Sequence, residues 1–124
     1  MNISILTTQT PHHTYFVKCL AARFKIGRAF IETQHASARF ETAHPFETER
    51  DAYERDVWFA GSQLSIADLA ETEIFENMNQ PAAVAALRGI KPDIIVVFGT
   101  GKLDAEVISI VPEYIFNLHG GDPQ

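Results

Sequence analysis

Cysteine is almost missing from this chain: Cys19 stands alone among 124 residues. No disulfide can close within the chain, and a zinc-cysteine cluster is excluded. Cys19 falls in an apolar helical pattern and reads as a buried, inert thiol. Long apolar runs are missing too. The longest, Ile94 to Phe98, is far too short to cross a bilayer, and the N-terminus lacks the basic start and apolar stretch of a signal peptide. A cytoplasmic location with no membrane partner is therefore expected. Basic residues are outnumbered, with 10 Lys and Arg against 16 Asp and Glu and a net charge of −6. That is the wrong sign for gripping a phosphate backbone, so no direct nucleic-acid partner is expected.

Two ligand motifs are also missing. No glycine-rich dinucleotide turn follows the first apolar run, and no Gly-Lys-Ser or Gly-Lys-Thr phosphate loop occurs anywhere. Gly99-Thr100-Gly101-Lys102 holds only the beginning of either pattern. Nicotinamide cofactors and nucleoside triphosphates are accordingly not the expected ligands. Four histidines, His12, His13, His35 and His44, lack the spacing and the carboxylate or cysteine partners of a metal site. They read as solvated or locally hydrogen-bonded, with His12 and His13 diverging ahead of a helix. No metal is expected.

What is present is ordinary for a globular domain: 46% hydrophobic and 21% charged residues. Ile3-Ser4-Ile5-Leu6-Thr7 reads as a buried strand. Thr14 is a candidate N-cap for a helix whose apolar stripe is Phe16, Val17, Leu20, Ala21 and Phe24, and Gly27 supplies the stop before a strand at 28–33. A loop is expected at 37–44 and a helix at 45–60 with Phe46, Tyr53, Val57 and Ala60 on one face. Trp58 and Phe59 are read as helix packing. A short helix at 65–70 and a strand at 73–75 follow. Pro81 opens an Ala-rich helix ending at Gly89, and Ile94-Ile95-Val96-Val97-Phe98 is the clearest strand, buried on both faces. A short helix at 104–110 and a strand at 114–118 complete the pattern.

Alternating strands and helices define an α/β fold, an open, mostly parallel sheet with helices on both faces, in one domain over residues 1–124. Ligands in such sheets bind beyond the carboxyl ends of the strands. The residues to inspect are Thr7-Thr8, Phe98-Gly99-Thr100-Gly101 and Asn117-Leu118-His119-Gly120-Gly121, expected to cluster at one edge. Asn117 and His119, two apart on a strand, share a face. The Asn117 amide can donate to a developing oxyanion, and the His119 imidazole can move a proton. The same pair would equally satisfy turn hydrogen bonds at a strand end.

Asn117-Leu118-His119-Gly120-Gly121-Asp122-Pro123 resembles the catalytic strand of the 10-formyltetrahydrofolate-dependent formyltransferases, in which Asn-x-His precedes a loop. Relatives in that family act on methionyl-tRNA, glycinamide ribonucleotide and amino sugars. The preceding Lys91-Pro92-Asp93-Ile94-Ile95-Val96-Val97-Phe98-Gly99-Thr100-Gly101-Lys102-Leu103 resembles the family's strand and folate-site loop. The likeness covers 91–124 well and Asn2 to Leu6 more weakly. It implies a Rossmann-like sheet, 10-formyltetrahydrofolate as formyl donor, and a small-molecule amine as acceptor. Asn117 and His119 would be catalytic, and Phe98, Gly99, Thr100, Gly101, Lys102 and Leu103 would hold the pterin, largely through backbone groups. The family's third catalytic residue, an aspartate after the loop, has no match through Gln124, and Asp122 does not occupy its position. On that resemblance the chain is the N-terminal part of the domain, with little transferase activity alone and an exposed sheet edge open to homo-oligomerisation. The competing reading is a non-catalytic α/β module that binds a small ligand or depends on a partner.

Overall fold

Short apolar runs such as Ile3–Thr7 and Ile94–Phe98 form strands, and the segments led by Pro11, Pro81 and Ala105 form helices. The computed structural model describes residues 1–34, Tyr53 and 64–118. The expected loop at 37–44, all of the helix at 45–60 except Tyr53, and His119 lie outside them. The elements are β1 (Ile3–Thr7), α1 (Pro11–Ala21), β2 (Ile26–Glu32), a 3₁₀ turn (Ile66–Asp68), β3 (Thr72–Phe75), α2 (Pro81–Ile90), β4 (Ile94–Phe98), α3 (Ala105–Ile108) and β5 (Ile115–Leu118).

The five strands form one sheet in the order β3-β2-β1-β4-β5, and all four pairings are parallel. The expected α/β open sheet is present. Residues of alternate parity along each strand bury opposite faces, as the pleat requires. On one face Leu6, Phe30, Ile95 and Val97 pack with Val84 and Leu87 of α2 and Val107 of α3. On the other, Ile5, Ala29 and Ile31 pack with Val17 of α1 and Ile66 of the 3₁₀ turn. Helical elements thus cover both faces.

Several boundaries differ from the sequence reading. Thr10, not Thr14, caps α1: Pro11 fills the first helical position, and the Thr10 hydroxyl accepts the His13 N–H at 3.2 Å. The Thr14 hydroxyl instead donates back to the Thr10 carbonyl at 2.7 Å. α1 ends at Ala21, and Gly27 lies inside β2 rather than stopping the helix, which leaves Phe24 45% exposed. α2 runs through Gly89, whose φ is not positive, and stops where Lys91 takes the left-handed cap (φ 55°) ahead of Pro92. The expected helix at 65–70 tightens to the 3₁₀ turn, closed by Asp68 bonding back to the Ser65 N–H and hydroxyl.

β4 is buried on only one face. Ile95 and Val97 are covered, while Ile94, Val96 and Phe98, on the α1 side, are half-buried. At the sheet margin the α1-side face is open: Phe116 and Leu118 of β5 are 51% and 41% exposed. Cys19 is exposed, not buried. It lies two positions from buried Val17, about 200° around the helix, and so faces water. The hydroxyl of Tyr15, one turn away, is raised above its ordinary pKa chiefly by its hydrogen bond with Cys19. Tyr53 is helical but exposed, contrary to the packing expected of it.

Candidate functional site

Parallel strands put all their carboxyl ends at one edge, so the segments after β1 and β4 meet the end of β5 there. Chain order reverses between β1 and β4, because β1, β2 and β3 run outward one way and β4 and β5 the other. The crevice over that reversal is the usual ligand position in open α/β sheets. Here it is filled. The His13 ring, 8% exposed, sits against Gly99, whose φ of 96° lets the backbone pass under the imidazole. His13 Nδ1 pairs with the Thr10 hydroxyl, and the ring packs against Phe98 at a centroid distance of 4.5 Å. The Thr7 hydroxyl closes the floor by donating to the Phe98 carbonyl at 2.7 Å.

Burial holds the His13 pKa down from 6.5 to about 4, with the neighbouring His12 adding to the effect. The two rings do not diverge, as the sequence suggested. Both lie inside the first turn of α1, with centroids 4.0 Å apart. The capped helix start, not the pair's adjacency, decides their direction.

An open cavity lies one strand further on. A cavity of about 550 Å³ is lined by Val97, Thr100, Gly101, Lys102, Leu103, Ile108, Ile115 and Asn117. Its size falls in the range typical of small-molecule pockets, and aliphatic side chains with a few polar groups are their usual lining. Asn117 is exposed and paired in register with buried Val97, so both face the α2 and α3 side. Of the six residues from Phe98 to Leu103, four line this cavity. Phe98 does not: its ring points to the other face, beneath α1, 5.0 Å from Phe16 and wedged beside His13. Gly99 belongs to the His13 contact.

The loop after β4 is held by residues that sequence reasoning passed over. Glu32, last residue of β2 and 4% exposed, accepts the Gly101 N–H with Oε1 and the Met78 N–H with Oε2, both at 2.9 Å. Asn79 donates from Nδ2 to the Lys102 carbonyl at 2.9 Å and accepts the Asp104 N–H with Oδ1 at 2.7 Å. The available sequence signals were a carboxylate closing the apolar run of β2 and two asparagines flanking Met78 ahead of Pro81.

Among the described residues no group of three or more His, Cys, Asp or Glu is placed to hold a metal ion, and no helix is long and apolar enough to cross a membrane. The class defined by the described residues is an α/β protein with an open sheet of five parallel strands and a small-molecule-sized cavity at the carboxyl edge of β4 and β5. No protein-family model matches the chain, and no curated protein matches it.

Proposed function

We propose that the chain forms the donor-binding half of a formyl-transfer site, taking 10-formyltetrahydrofolate as donor and a small amine as acceptor. One observation carries the reading. Thr100, Gly101, Lys102, Leu103 and Asn117, singled out from two separated stretches of sequence, line one cavity. A flat bicyclic ring suits the space: Val97, Leu103, Ile108 and Ile115 offer aliphatic walls, and Asn117 with the backbone groups of 100–103 not held by Glu32 or Asn79 offers polar contacts to a ring edge.

The donor supplies an activated formyl group on nitrogen. Asn117 donates from its side-chain amide to the formyl oxygen as that atom gains negative charge, and the resemblance gives His119 the proton movement. The amine nitrogen bonds to the formyl carbon, the bond from that carbon to the donor nitrogen breaks, and the proton lost by the amine passes to the departing nitrogen. A preorganised donor at an oxyanion is worth a factor of about 10²–10³ in rate. A second reading, a partner-dependent module, is favoured by the uncovered Phe116 and Leu118 on β5, an edge that would also support pairing of two copies.

Calorimetric titration with 5-formyltetrahydrofolate separates the two. Saturable binding that is lost when Leu103 is replaced by Asp supports the donor site. Absence of binding at any accessible concentration removes formyl transfer and leaves the partner-dependent module, which sedimentation of wild type against Phe116→Asp then tests.

A further inference from the structure

We propose that Glu32 is a positioning residue that sets the shape of the cavity by clamping the 99–103 loop across the end of β1. The inference rests on the formyl-transfer reading only for the ligand used to probe it.

β2 and β4 are not neighbours; β1 lies between them. The loop leaving β4 must therefore cross the end of β1 for the Gly101 N–H to reach Glu32 Oε1 at 2.9 Å. The other oxygen holds the Met78 N–H, from the segment joining β3 to α2. One carboxylate thus ties two connections to the sheet at once. Its burial is costly, and no cationic side chain among the described residues pairs with it. Two backbone N–H groups aimed at its oxygens are what compensate. Asn79 adds a second anchor one and three residues beyond Gly101, at Lys102 and Asp104. The loop so fixed contributes four of the eight cavity-lining residues, opposite Asn117.

Glutamine at position 32 keeps the size but offers a single acceptor oxygen. Its NH₂ group then faces a backbone N–H, donor against donor, and one of the two connections must let go. A loop that spends only a tenth of its time in the competent shape weakens apparent affinity about tenfold.

The test combines amide hydrogen exchange by NMR with calorimetric titration of 5-formyltetrahydrofolate, on wild type, Glu32→Gln, Asn79→Ala and Val17→Ala. Val17, on α1 against the opposite face of the sheet, is fully buried and serves as a control for general destabilisation. In Glu32→Gln, exchange at Gly101 or Met78 should quicken about tenfold more than at the core amide of Ile95, and affinity should fall about tenfold. Asn79→Ala should weaken binding in the same direction, while Val17→Ala should lose thermal stability with affinity unchanged. Wild-type affinity in Glu32→Gln, or an equal loss in Val17→Ala, overturns the proposal. If wild type binds no folate, the formyl-transfer reading fails separately. The exchange rates still decide the clamp, because unchanged protection at Gly101 and Met78 in Glu32→Gln refutes it.

Discussion

Replacing Gly99 by alanine puts the contact at the sheet's reversal point to a direct test. The backbone there has φ 96°, a region that L residues occupy at a cost of about 1–2 kcal/mol. A Cβ would also fall on the His13 imidazole, 2.7 Å from Cδ2 and 2.8 Å from Cε1, with Nε2 nearer still. That ring cannot swing aside cheaply, since Nδ1 is tied to Thr10 and the ring packs between His12 and Phe98. Overpacking of this kind costs roughly 1–3 kcal/mol. Alanine restricts the unfolded chain and returns about 0.4–1 kcal/mol. The net expectation for Gly99→Ala is a loss of about 2–3 kcal/mol.

Urea unfolding followed by circular dichroism measures it, at pH 7.5 where His13 is neutral, with the m-value checked against wild type. The decisive comparison is the same substitution in a His13→Ala background. With the ring gone, only the backbone component should remain, so the cost should shrink to about 1 kcal/mol. A loss below about 0.5 kcal/mol in the single variant would refute the packing argument. An unchanged loss in the double variant would show that the ring does not press on this position.

Stability should fall as pH drops from about 6.5 to 4. His13 binds its proton near 6.5 when unfolded but only near 4 when folded, so in that window the unfolded chain holds more protons and acid favours it. The loss should be on the order of 2–3 kcal/mol and should flatten in His13→Asn, read from denaturation midpoints at pH 7.5 and 4.5. Thr10→Ala removes the α1 cap and should cost about 1–2 kcal/mol in the same urea assay. Lys91→Gly should stabilise the protein by up to about 1 kcal/mol, since a left-handed C-cap suits glycine. Native protein should react with a thiol reagent to one equivalent without denaturant, because Cys19 is exposed; protection would contradict its placement.

The sheet was legible because each strand is a short apolar run bounded by Pro, Gly or a capping residue. Ile3–Thr7 and Ile94–Phe98 have the limits read from sequence, and β3 and β5 differ by a single residue. Helix starts were harder. The Thr10–Pro11 pair and Thr14 both carry capping chemistry, and only the geometry of the turn decides between them. Burial was misjudged where it depends on which partner covers a face. Cys19 sits in an apolar pattern but on the far side of α1, and the α1 side of β4 is only partly roofed. Asn117, Thr100 and Gly101 could be named because strand ends in an α/β sheet must share one edge, whereas Lys102 and Leu103 were named only through the family resemblance. Glu32, Asn79 and His13 could not, since each acts through a contact to a distant segment that no local pattern encodes.

The location of the cavity and the missing glycine-rich turn after β1 have one physical cause. A dinucleotide-binding turn uses glycines so that a phosphate can lie against the start of the first helix, over the β1 and β4 ends. In this chain that stretch is Gln9-Thr10-Pro11-His12-His13. Proline removes a donor N–H from the helix start, the Thr10 hydroxyl takes up the His13 N–H, and the His13 ring occupies the crevice down to Gly99. The His13 imidazole stands where such an anion would lie against Gly99. The cavity described above lies one strand outward from this plug, between the loop after β4, α3 and β5. Removing the plug tests this arrangement: His13→Gly should open the reversal crevice while leaving Thr100 to Leu103 under the control of Glu32 and Asn79. Folate binding in the β4–β5 cavity should then persist within a few-fold of wild type. A loss as large as that of Glu32→Gln would mean that the two halves of the edge are one site rather than a plug and a pocket.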